Sequence, residues 1–171
     1  MKKLSVLFLV LGLCLILGAG MVAAQDPHWS YEGDTGPEYW GSLSPDYAAC
    51  SEGLEQSPVD IPASAPVNPA DIQFSYQPTN LTIVNNGHAI QVNYDPGSSM
   101  TVEGKTYSLQ QFHFHSLSEH TVGGQNDDME MHLVHKSDDG ENSVISALLV
   151  SGAENPAFAP VWDNMPAEEG D

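Results

Sequence analysis

Gln111-Phe112-His113-Phe114-His115 and, seventeen residues beyond its last histidine, His132 within Met129-Glu130-Met131-His132-Leu133-Val134-His135 carry the clearest chemistry in this chain. Two histidines one residue apart on a strand project from the same face, about 7 Å apart along the backbone. A third on a neighbouring strand, about 4.8 Å away, closes a triangle. Three imidazoles with one position left open are the donor set of a catalytic zinc ion. His113, His115 and His132 are therefore the candidate metal ligands. The same alternation sets Gln111 beside His113 and Glu130 beside His132. Each can accept the N–H of the ring nitrogen that faces away from the metal, which fixes the tautomer and aims the ring. Phe112 and Phe114 point the opposite way and suit a core, as do Met131, Leu133 and His135.

Such a triangle needs adjacent strands, and the surrounding chain reads as a sheet protein. Strand-like stretches occupy Ile72–Tyr76, Leu81–Val84, Ala89–Tyr94 and Met100–Val102, with Pro96-Gly97 among the turn residues between them. Gly123-Gly124 and Asn126-Asp127 mark the turn region between the two histidine strands. Ser143–Val150 is almost continuously apolar, which predicts a strand buried on both faces. Beyond it, Asn155-Pro156 opens a short amphipathic helix whose Phe158, Val161, Trp162 and Met165 share one side, stopped near Pro166. The segment from His28 to Asp60 is rich in Gly, Pro, Ser and aromatics and reads as irregular structure wrapping the core. No repeat or low-complexity linker interrupts it. The expected class is mainly β, a mostly antiparallel sheet with a few short helices.

The N-terminus bears the marks of export. Lys2 and Lys3 precede the apolar run Leu4 to Leu17, and Val22-Ala23-Ala24 forms a small-residue cleavage site before Gln25. Residues 1–24 are thus a secretory signal, residues 25–171 the working domain, and the expected location secreted or periplasmic, with no stable membrane anchor. The 147 residues that remain suit one domain with a sizeable core. They hold all 23 acidic residues against Lys105 and Lys136, a formal charge of −21. That balance excludes nucleic acid and anionic membrane surfaces as partners and favours solubility, in keeping with a salty or alkaline medium. The pairs Asp127-Asp128 and Asp138-Asp139 read as solvated loops, without the spacing of a calcium loop. Cys14 leaves with the signal. Cys50 then stands alone, as a free thiol, an intermolecular bridge or half of a disulfide with a missing partner.

Taken together, several short motifs resemble the alpha class of carbonic anhydrases, in its bacterial, secreted form. They are His28-Trp29-Ser30-Tyr31-Glu32-Gly33, Gly36-Pro37-Glu38, Gln56-Ser57-Pro58-Val59-Asp60-Ile61, Asn86-Gly87-His88-Ala89, the two histidine segments, and Ser118-Glu119-His120-Thr121-Val122. They occur in that family's order across essentially the whole mature region. The resemblance implies a large twisted central sheet with zinc (Zn2+) at the base of a conical cleft, held by His113, His115 and His132. It implies Gln111 and Glu130 as their outer partners, which agrees with the parity above. It also implies His88 as proton shuttle, Tyr31 and Asn86 in the water network, and Glu119 orienting a threonine that gates a zinc-bound hydroxide. The implied reaction is reversible hydration of carbon dioxide to bicarbonate and a proton. His120 and His135 fall outside the ligand pattern and read as structural.

One departure qualifies that expectation. The family continues with a segment of the Ser-Leu-Thr-Thr-Pro-Pro-Cys type, which would bring the gating threonine, part of the pocket wall, further strands and a partner for Cys50. Its absence predicts a C-terminally incomplete domain, in which Ser143–Val150 would be left as an uncovered hydrophobic edge. A zinc-holding relative without turnover is the alternative. A cupin-type barrel also fits His113-Phe114-His115 followed by Glu119, but Tyr107 stands where its glycine is expected.

Overall fold

The computed structural model describes residues 27–65 and 71–170; the expected export signal lies outside them. Among the described residues the strands are β1 (Asp60–Ile61), β2 (Ile72–Ser75), β3 (Thr82–Asn85), β4 (Ile90–Asn93), β5 (Ser99–Val102), β6 (Lys105–His115), β7 (Thr121–Val122), β8 (Gln125–Asn126), β9 (Met129–Lys136) and β10 (Asn142–Leu149). One antiparallel sheet runs β10-β9-β6-β4-β3, with β5 paired to the first half of β6 and β2 beyond β5. β1, β7 and β8 form a separate small ribbon. The helices are single turns: α1 (Trp40–Leu43), α2 (Ala49–Glu52) and α3 (Ala159–Trp162). None is long and apolar enough to cross a membrane. The mainly β, mostly antiparallel class expected from the sequence is what the chain adopts, while the segment before β1, expected to be irregular, holds the single turns α1 and α2.

The two histidine strands are neighbours, β6 against β9, with His113 opposite His132 and His115 opposite Glu130. Their core-facing side chains lie side by side on one face of the sheet, Phe112 opposite Leu133 and Phe114 opposite Met131. Val92, Phe114 and Val161 are buried together, with Ile90, Phe112, Met129, Met131, Leu149 and Phe158 packed around them. The Phe114 ring lies 4.7 Å from Trp162 and 5.6 Å from Phe158, centre to centre. β3 and β4 are joined by a tight turn in which Asn86 Oδ1 accepts from the backbone N–H groups of His88 and Ala89. Gly87 sits there at φ +83, and a Cβ would meet the Glu169 carboxylate at 2.8 Å, so only glycine fits without strain.

Three sequence expectations change. β10 is not buried on both faces: it is the end strand of the sheet, and its exposure alternates residue by residue. Ile145, Ala147 and Leu149 turn inward, while Val144 and Leu148 remain 48% and 36% exposed. The apolar run misled because Leu and Val occupy both parities of an edge strand. The C-terminal helix is one turn long: Asn155 Oδ1 accepts from Ala157 N–H in a local turn rather than capping a longer helix, and Met165 is left exposed. Finally, a bulge interrupts the β6–β9 register between Leu109 and Gln111. Leu109 pairs with His135 and Gln111 with Val134, so Gln110 is the extra residue. That insertion lets Leu109 bury itself on the core side while Gln111, of the same parity, faces the histidines.

Candidate metal centre

Strand parity delivers the three candidate ligands to one place. The ligand nitrogens of His113, His115 and His132 lie within 4.8 Å of one another. His113 Nδ1 is 2.8 Å from Gln111 Oε1, which leaves its Nε2 for the metal side. His132 Nε2 is 3.0 Å from Glu130 Oε1, so its Nδ1 faces inward. That contact falls outside hydrogen-bond geometry and leaves the buried Nε2 without a hydrogen-bond partner. His115 Nε2 is buried and has no hydrogen-bond partner. An orphaned buried nitrogen is costly unless something absent from the chain itself satisfies it. These donors fit a zinc ion: three imidazoles, of which His113 is aimed by a hydrogen-bonded outer acceptor, His132 has a carboxylate beside its outward nitrogen, and His115 has a buried nitrogen with no partner. His120, Glu130 and His132 also come together, but Glu130 there is already committed to other donors.

Glu130 is completely buried. Its Oε2 accepts from the backbone N–H groups of Glu119 (2.7 Å) and His120 (2.8 Å), while its Oε1 meets His120 Nδ1 at 2.6 Å and the Ser146 hydroxyl. Burial alone would raise its carboxyl; Ser146 and the backbone and ring of His120 outweigh that and hold it at about 2. His113 and His115 are held down at about 4, first by burial and then by the neighbouring imidazoles. Both rings are therefore neutral, as a metal ligand must be.

The remaining candidates line the approach. A cavity of about 730 Å³ is bounded by Tyr31, Trp40, Cys50, His88, His115 and Glu119, among others. The Tyr31 hydroxyl donates to Glu119 Oε1 at 2.9 Å, and its pKa is pushed above the ordinary phenol value by burial and then by the Glu119 charge. Glu119 Oε2 faces the histidines, 3.2 Å from His115 Nε2 and 3.7 Å from His132 Nδ1. His88 is exposed at the rim, its ring stacked on Trp29 with centroids 3.7 Å apart. Asn86 belongs to the turn beneath it, and its amide oxygen is committed to that turn. Cys50 is exposed and unbonded.

Sequence reasoning missed Ser146. It lies opposite His132 across β9–β10, and its hydroxyl supports Glu130. A lone serine inside an apolar run was the available signal. His120 is tied into the Glu130 network, and buried His135 bonds the Tyr76 hydroxyl at 2.8 Å.

Comparison with known proteins points in one direction. Residues 35–161 match the family model described as eukaryotic-type carbonic anhydrase. A carbonic anhydrase from a Nostoc species is 43% identical over 155 residues, covering 86% of this chain and 58% of the relative. One from Pectobacterium carotovorum is 39% identical over 165 residues, covering 96% of the chain and 66% of the relative. The alpha-carbonic anhydrase of Thermovibrio ammonificans, solved with the inhibitor sulfanilamide, superposes with a TM-score of 0.76 at 41% identity, covering 85% of this chain and 65% of that one. The chain thus spans roughly three fifths to two thirds of the length of these relatives.

Proposed function

The chain belongs to the eukaryotic-type, or alpha-class, carbonic anhydrase family, and from that membership we propose that it holds one zinc ion on His113, His115 and His132 and hydrates carbon dioxide reversibly to bicarbonate and a proton. The observation that carries this reading is the convergence of the three imidazole nitrogens within 4.8 Å around a buried, unpartnered His115 Nε2. Zinc, when bound, supplies the positive charge that lets water lose a proton near neutral pH, an effect for which carbonic anhydrase is the standard instance.

The protein's own residues do the rest. Gln111 holds the His113 ring by a hydrogen bond, and the Glu130 carboxylate stands beside His132 Nε2. Val134 and Val144 pair across β9–β10 on the same sheet face as His132 and give that face an apolar flank. Such a surface suits a substrate with neither charge nor dipole. His88, at the cavity rim, is placed to exchange protons with solvent, a task for which an imidazole both accepts and releases near neutrality. The sequence of residues 1–24 further supports an exported protein cleaved after Ala24.

The test is bound zinc and carbon dioxide hydration measured on the same purified sample. About one zinc per chain is expected, lost in His113→Ala and in His132→Ala, with hydration abolished by a chelator. Full zinc retention in either variant would overturn the ligand assignment. Zinc without hydration would favour a second reading, a zinc-holding family member without turnover. The orientation of Glu119 toward the histidines is the observation on its side.

A further inference from the structure

We propose that Ser146 is a positioning residue that competes with His132 for Glu130, and so limits how much negative charge the carboxylate lends to that ring. This rests on the reading of His113, His115 and His132 as zinc ligands. It follows from the supply of lone pairs. An ionised carboxylate offers about four acceptor sites. On Glu130 Oε2, two receive the backbone N–H groups of Glu119 at 2.7 Å and His120 at 2.8 Å. On Oε1, two receive the His120 ring at 2.6 Å and the Ser146 hydroxyl. His132 Nε2 stands 3.0 Å from the same Oε1 and makes no hydrogen bond. It is the fifth claimant on a full carboxylate.

Of the four donors that do bond, Ser146 alone comes from outside the loop that precedes β9. The backbone N–H groups of Glu119 and His120 and the His120 ring belong to that loop. Ser118 ties it down, its N–H reaching Asp127 O and its hydroxyl reaching His120 O. Ser146 lies on β10, directly opposite His132 in the β9–β10 register. The residue is exposed, so its hydroxyl can turn to water instead, whereas the His132 nitrogen is buried and has no such alternative. Removing the hydroxyl therefore frees one lone pair beside an unpartnered donor.

The consequence reaches the metal through His132. A carboxylate bonded to the outer N–H of a ligand histidine raises the basicity of the ring. Withholding that bond leaves zinc, when bound, more of its own positive charge, on which the loss of a proton from water depends. It also lets the ion leave sooner. Ser146 thus favours acidity of the centre over retention of the metal.

The full chain and its Ser146→Ala and Ser146→Thr variants, isotopically labelled at the histidine nitrogens and loaded with zinc, are followed by NMR and by release of the ion to a chelator. With its inward Nδ1 on the metal, His132 carries its proton on Nε2. In the unsubstituted protein that proton is expected upfield of the His120 Nδ1 proton, an internal standard for a ring N–H bonded to Glu130. In Ser146→Ala it should move downfield toward the standard, and zinc should leave about tenfold more slowly. Ser146→Thr keeps a hydroxyl and should match the unsubstituted protein. The sign excludes mere damage, since a disturbed site releases its ion faster. An unmoved resonance or faster release in Ser146→Ala would overturn the proposal and leave the three ligands standing. So would an unsubstituted protein in which the two ring protons already resonate together, which decides the matter if the variant does not fold. Failure of the unsubstituted chain to hold zinc would overturn the ligand reading as well.

Discussion

Glu130 is fully buried and still charged because four donors converge on it, and that arrangement has a pH signature. Its folded carboxyl is held at about 2, against an ordinary 4.5, so the stability it contributes is present above about pH 4.5 and is lost as pH falls toward 2. His113 and His115 act in the same direction over a higher window. Each is held at about 4 against an ordinary 6.5, so below pH 6.5 the unfolded chain takes up protons that the folded chain refuses until about pH 4. Without metal, the midpoint of urea unfolding should therefore fall steadily from pH 7 to pH 4, and again below pH 4.5. A flat profile between pH 6.5 and 4 would mean that the imidazoles are not desolvated as the structure places them. With zinc bound, that slope should persist and extend below pH 4, since the ion keeps protons off the same nitrogens in the folded chain while the unfolded chain still takes them up. The convergence of His113, His115 and His132, with Gln111 and Glu130 beside them, was legible in the sequence, because strand parity is a local property. Ser146 and the inward turn of Glu119 were not: both depend on which strand or loop lies across the site.

Among the elements, β6 does most to shape the site, since it carries two candidate ligands on one side and Phe112 and Phe114 on the other. Phe114 is 6% exposed and meets Val92, Phe158, Val161 and Trp162 directly beneath the histidines. Phe114→Ala should cost about 3–5 kcal/mol, the usual range for emptying a buried aromatic site, and should weaken zinc retention along with stability. Urea unfolding and zinc counting on one sample check both; unchanged stability would show that this packing does not support the sheet. The bulge at Gln110 is the device that lets one strand serve core and site together. It was invisible in the sequence because a bulge is defined by the partner strand's register, not by the residues that form it. β10 was misjudged for a related reason. An apolar run reads alike on a central strand and on an edge, and only pairing tells them apart.

For the molecule as a whole, charge is the dominant property. Twenty-three acidic residues face four lysines along the full chain, a formal net charge of −19. Lys105, one of the few cations, is already engaged by Asp139 at 2.9 Å and Glu141 at 2.6 Å across the exposed end of β6. Exposed pairs of this kind contribute little, so repulsion among the remaining carboxylates is largely unrelieved. Raising sodium chloride from about 0.01 to 0.1 M shortens the Debye length from about 30 to 10 Å, and should raise the melting temperature by a few degrees. A melting temperature indifferent to salt would show that the acidic groups lie too far apart to oppose folding. What the sequence determined by itself was whatever repeats along the chain: strand alternation, the histidine spacing, the turn at Asn86-Gly87 and the charge. What only the tertiary structure decided was whatever depends on a partner: the bulge, the donors around Glu130 and the approach of Glu119 to the histidines. Alternation and spacing follow from backbone geometry within a few residues, whereas register, burial and electrostatic compensation arise only once distant segments are brought together.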